Sequence, residues 1–139
     1  MGLPPQSSQR KDSQMTDEKS IEEIFEESWD SIACKYHPHI LYLNSRDLIV
    51  IDNFIHNLMM RGLHKRLRAG HQLFGVVLSR SKVWGLRDDQ PFIAFEPNGE
   101  KISVAQRLID DSQPFTIATS EITIEVEVLL QKLLSHPID

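Results

Sequence analysis

One cysteine, Cys34, stands in a chain of 139 residues, which excludes an internal disulfide framework and suits a reducing compartment. No stretch approaches the roughly 20 consecutive apolar residues that a membrane-spanning helix needs. The opening Met1-Gly2-Leu3-Pro4-Pro5-Gln6 has no apolar core of the signal-peptide kind, and Gln6 stands where an N-myristoylation motif requires Ser or Thr. These absences lead to the expectation of a cytoplasmic protein without a membrane partner. Chemical motifs are missing as well. There is no G-x-S-x-G elbow, no phosphate-binding loop, no dinucleotide glycine pattern, no His-Glu-x-x-His and no EF-hand loop. The sequence therefore designates no catalytic residue, no cofactor and no metal site.

What is present is an ordinary globular composition, 40% apolar and 25% charged, with enough core-forming residues for one domain. Residues 1–19 depart from it, mixing Pro, Gln, Ser, Lys and Asp with few large apolar side chains. The expectation is a disordered tail over 1–19 and a single α+β domain over 20–139. The net charge of −5 conceals a segregation of sign. Residues 61–87 hold seven bases (Arg61, Lys65, Arg66, Arg68, Arg80, Lys82 and Arg87) and no acid, whereas both flanks are acidic. A basic centre of this kind faces an acidic partner, another molecule or the chain's own flanks.

Ser20-Ile21-Glu22-Glu23 forms a capping box that opens a helix. Ile21, Ile24, Phe25, Trp29, Ile32, Ala33 and Tyr36 make its apolar stripe, and Glu22, Glu23, Glu26, Glu27 and Asp30 its acidic side. Pro38 ends it near His37. Ile40–Leu43 and Leu48–Ile51 read as two short strands joined at Asn44-Ser45-Arg46-Asp47, with a single helix from Ser45 as the competing reading. Asp52 then caps a helix running to about Gly70, with Phe54, Ile55, Leu58, Met59, Leu63 and Leu67 inward and Gly62 weakening its middle. Strands follow at Leu73–Ser79, Lys82–Arg87 and Phe92–Phe95, with a turn at Glu96-Pro97-Asn98-Gly99. A short helix is expected from Ser103 to Ile109 and an edge strand at Phe115–Ala118; in the last segment Ile122, Ile124, Val126 and Val128 alternate like a strand while Ile122, Val126, Leu129, Leu130 and Leu133 fit a helical stripe, and a final helix capped by Ser120 is preferred. The predicted order is α-β-β-α-β-β-β-(α)-β-α, a small antiparallel sheet packed by helices.

The candidate functional surface is the basic stripe. On a helix, Arg61, His64, Lys65 and Arg68 share one face at i, i+3, i+4 and i+7, and Arg80, Lys82 and Arg87 extend the patch if the strands pack beside it. Trp84 offers a stacking surface. Two readings compete for it. The preferred one is a non-catalytic protein-interaction module, a regulatory adaptor or assembly factor, that docks an acidic protein partner or pairs as a homodimer. The alternative is nucleic-acid binding through phosphate contacts. A small enzyme with a cleft assembled from distant residues stands third. His37 and His39, two apart in an extended segment, could reach one metal ion, but no motif accompanies them and nothing in the sequence assigns Asp47 or Asp52 as further ligands, so the preferred reading is an ordinary turn with exposed imidazoles. Cys34 projects onto the acidic side of the first helix, which disfavours a reactive thiolate.

Overall fold

Local chemistry sets the first helix. The Glu23 amide donates to Ser20 Oγ at 3.1 Å while the Ser20 amide donates to Glu23 Oε1 at 3.0 Å, the reciprocal cap expected from the sequence. The computed structural model describes residues 19–30, 32, 46–72, 75–83, 86–109 and 113–139, with the backbone alone at 46–47 and 71–72. Residues 21–30 form α1, whose Phe25 and Trp29 are fully buried while Glu22, Glu23, Glu27 and Asp30 face solvent. The apolar stripe is thus where the periodicity places it, except that Ala33 and Tyr36 lie outside the described residues. So does nearly all of the segment expected to be a tail.

The next helix, α2, spans Arg46–Met60. Leu48–Ile51 is therefore helical and not the second strand of a hairpin; Ile40–Leu43 lies outside the described residues. The burial pattern gives the reason. Leu48, Ile51, Phe54, Ile55 and Leu58 are buried, whereas Ile49 is exposed and Val50 only partly covered. Of these four consecutive apolar residues, Leu48 and Ile51 are buried three positions apart, Ile49 faces solvent and Val50 packs at the margin of the core, as a 3.6-residue repeat requires. Asp52 consequently sits inside the helix and not at its cap, with its carboxylate 3.5 Å from His56 Nδ1 one turn on.

The helix stops ten residues before the expected Gly70, because Gly62 takes a φ of 77° that L side chains avoid. Its amide donates to Met59 O at 2.8 Å, closing the end as a left-handed cap. A short 3₁₀ turn, Leu63–Lys65, then leads into strand β1, Arg68–Gln72. Four further strands follow, β2 Gly75–Ser79, β3 Phe92–Asn98, β4 Lys101–Gln106 and β5 Phe115–Ile117, before helix α3, Ile124–Leu134. The order is α-α-β-β-β-β-β-α, an α+β fold around an antiparallel five-stranded open sheet with its strands in sequence order.

Four more expectations are corrected here. Ser103 does not open a helix to Ile109, since Ile102 and Val104 are buried with Ser103 between them only partly covered, an alternation of period two that makes β4. Within Lys82–Arg87, the described residues 82, 83, 86 and 87 belong to the connection between β2 and β3 and not to a strand. The turn at Glu96-Pro97-Asn98-Gly99 falls later than expected, because β3 continues to Asn98 and pairs it with Lys101. The final helix forms, but Thr123 caps it and not Ser120, its hydroxyl accepting from the Val126 amide at 3.3 Å.

Register joins Val76, Phe95 and Val104 in one row and Leu78 with Ile93 in the next, all fully buried. Helices α2 and α3 pack on that face, with Phe54 and Phe95 rings 4.7 Å apart and tilted by 53°. Each fully buried Phe, Leu or Ile contributes about 1.5–3 kcal/mol, against about 0–1 kcal/mol for an exposed ion pair. Core packing, and not the surface charge described below, holds the fold.

Helix α1 has a different task. Trp29 Nε1 donates to Leu67 O at 2.7 Å, and the Ala69 amide donates to Ser28 Oγ at 2.9 Å. Ser28 in turn donates to Phe25 O at 2.6 Å. An edge strand carries a donor and an acceptor at alternate residues along its open side, and here two helical side chains meet them.

Candidate functional site

With α2 ending at Met60, the four residues expected to share a helical face are dispersed. Arg61 lies past the last helical turn, His64 and Lys65 are in the 3₁₀ turn, and Arg68 begins β1. Arg61 reaches α3, where its guanidinium lies 2.7 Å from the Glu127 carboxylate. Their hydrogen bond raises the Arg61 pKa and lowers that of Glu127. His64 Nε2 stands 3.9 Å from Glu26 on α1. Arg87 pairs with Asp89 at 3.1 Å and with the Asp139 carboxylate, contacts that raise its pKa, Asp139 first. Lys65 is exposed, and Trp84 lies outside the described residues.

The sheet brings a different set together. Arg68 pairs in register with Ser79, the last residue of β2, so the chain entering β1 and the chain leaving β2 run side by side. Arg68 Nε donates to Ser81 O at 2.8 Å and its terminal nitrogen to Lys82 O at 2.6 Å. Arg80 makes the reciprocal crossing, donating to Arg66 O at 2.8 Å and to His136 O at 3.0 Å. Arg66, Arg68, Arg80 and Lys82 thus form one cationic patch at the β1–β2 end of the sheet. None of the four has a carboxylate partner among the described residues. Burial lowers the Arg68 pKa; burial first, then the nearby Arg66 charge, lowers that of Arg80. Backbone carbonyls supply hydrogen bonds without cancelling the charge, so Arg68 and Arg80 are held in place and stay positive.

Arg66 was counted among the bases of the sequence but left out of the stripe, since a continuous helix turns it to another face. Gly62 is the signal that would have released it, had its positive-φ capacity been read as a helix stop. Exposed apolar side chains follow the patch in the chain or its bonds: Val83 comes directly after Lys82, and the amide of Asp139 donates to Arg80 O at 2.9 Å beside the exposed Ile138.

Between the first two helices and the 3₁₀ turn, a cleft of about 450 Å³ is lined by Glu23, Glu26, Glu27, Asp30, Met59 and His64. Four of its six lining residues carry carboxylates, and Met59 is the apolar one. Lys19 answers one carboxylate, bonding Glu27 at 2.8 Å. Asp30 has no basic partner among the described residues. His64 Nδ1 and both side-chain polar atoms of Gln90 are buried without hydrogen bonds.

Among the described residues no group of three or more His, Cys, Asp or Glu side chains is arranged to hold a metal ion, and no helix is long and apolar enough to cross a membrane. Cys34, His37 and His39 lie outside the described residues, as does the side chain of Asp47. Comparison with protein-family models, with curated proteins and with solved structures finds no match to this chain.

Proposed function

We propose that this domain is a non-catalytic protein-interaction module of the adaptor or assembly-factor kind, and that it docks an acidic protein partner on the patch of Arg66, Arg68, Arg80 and Lys82. The observation that carries this reading is that Arg68 and Arg80 are held by carbonyls of the opposite strand's connection, not by carboxylates. Two partly buried guanidinium groups without counter-ions are unfavourable in the free protein, and an incoming carboxylate relieves that. The exposed Val83, next to Lys82, gives a partner apolar area that a purely electrostatic surface lacks. An acidic chain overall, with a net charge of −5, suits a discrete protein contact better than tracking along a nucleic-acid backbone. The lone cysteine is consistent with a cytoplasmic setting.

The test is fluorescence anisotropy of a labelled glutamate-rich peptide titrated with the wild type and with Arg66→Glu/Lys82→Glu, residues whose side chains hold no part of the fold. The wild type binds in a salt-sensitive manner and the double variant binds at least about tenfold more weakly, a change of about 1.4 kcal/mol. Equal binding by both proteins refutes the assignment. A labelled single-stranded oligonucleotide in the same titration separates the phosphate-binding alternative, which requires it to bind more tightly than the peptide.

A further inference from the structure

The acidic cleft and the cationic patch are neighbours along the chain. His64 lines the one and Arg66, two residues further along, belongs to the other. Their chemistries are complementary in two respects. The cleft sets carboxylates around Met59 with Met60 exposed beside it, and the 80–83 segment sets Lys82 next to the exposed Val83. Lys82 and Val83 are both exposed, on a segment whose backbone is tied to Arg68 through the Ser81 and Lys82 carbonyls.

We infer that the acidic partner is a second copy of this chain, the Lys82-Val83 turn of one protomer seating in the Glu26/Asp30 cleft of the other. This rests on the assignment of the cationic patch as a docking surface and names its occupant. A two-fold axis between two adjoining patches of opposite sign lays each on its opposite, so the contact is made twice and the assembly closes as a dimer. Lys82 and Arg66 meet Glu26 and Asp30, while Val83 covers Met59 and Met60. The net charge of −5 on each copy opposes approach at a distance. At about 0.1 M salt that repulsion is screened beyond roughly 10 Å, while pairs in contact keep most of their attraction.

The experiment is sedimentation velocity on the full chain with two charge-reversal variants, Glu26→Lys/Asp30→Lys in the cleft and Arg66→Glu/Lys82→Glu in the patch. Circular dichroism and urea midpoints establish that both variants fold. The wild type shows a reversible monomer–dimer equilibrium that weakens as salt rises. Each variant alone dimerises about tenfold or more weakly, because like charges then face each other twice. An equimolar mixture of the two recovers the dimer, since both contacts then carry opposite charges again. A wild type that stays monomeric at millimolar concentration, or a mixture that stays monomeric, overturns the inference. If the wild type is monomeric yet loses the glutamate-rich peptide through the patch variant, self-docking fails and the acidic-partner assignment stands; if the patch variant keeps the peptide, the assignment beneath it fails too.

Discussion

At Gly75 there is no room for a side chain. A Cβ built there meets Phe95 O at 2.4 Å and Glu96 Cγ at 2.7 Å, closer than real carbon contacts, so the start of β2 and the middle of β3 approach because this residue is glycine. Gly75→Ala is expected to destabilise the domain by about 1–3 kcal/mol, the range for forced overpacking, measured by urea denaturation. Gly70 in β1 is the control. Its nearest neighbour to an added Cβ is Val77 O at 3.9 Å, ordinary contact, so Gly70→Ala shifts stability by less than about 1 kcal/mol. Equal effects at the two positions contradict the packing described. Glu23 gives a residue-scale prediction in pH. Its hydrogen bonds, first from the Ser20 amide and then from the Ser20 hydroxyl, lower its pKa below the ordinary 4.5. The unfolded chain therefore binds the proton first as pH falls, and the stabilisation is present above about 4.5 and lost as pH drops through the folded value. Wild type and Glu23→Gln should differ in urea midpoint at neutral pH and converge in acid; a difference that persists unchanged at low pH contradicts the cap.

Helix α1 guards an edge. Ser28 and Trp29 occupy the hydrogen-bonding positions that a neighbouring strand would take on β1, which leaves less of that edge open to pairing with another chain. Ser28→Ala removes the acceptor of the Ala69 amide in a buried setting and is expected to cost about 1–3 kcal/mol, with faster hydrogen exchange at Ala69 as the specific signature. Unchanged exchange there argues against the edge cover. The elements also show what could be read before any coordinates. The capping box at Ser20 and Glu23 was legible because both partners lie within four residues. The terminal helix was legible because Val126, Leu129, Leu130 and Leu133 repeat at helical spacing against an alternating rival. The end of α2 was not legible, since Leu63 and Leu67 carry the helical period straight past Gly62 and both are buried for other reasons, in the 3₁₀ turn and in the chain entering β1. Leu48–Ile51 failed similarly. An unbroken apolar run of four has no period, and only the burial of Leu48 and Ile51 on one side distinguishes helix from strand.

For the whole molecule, the sign of the charge was visible in the sequence and its placement was not. Seven bases without an acid between residues 61 and 87 announced a basic region, yet three of the eight candidate residues, Arg61, His64 and Arg87, face carboxylates drawn from α3, α1 and the connection before β3. Sequence distance hid those partners, which lie up to 66 residues away. The remaining patch exists because antiparallel pairing of β1 with β2 brings residues 66–68 against residues 79–82, a juxtaposition created by topology alone. The account stands on those four cations being available to a carboxylate-bearing partner. Its most direct test is an NMR titration of the labelled domain with a glutamate-rich peptide, following every backbone amide. Saturable shifts concentrated at residues 66–69 and 80–83 are the predicted result. Shifts confined to other surfaces, or none at peptide concentrations that saturate binding by anisotropy, would contradict it.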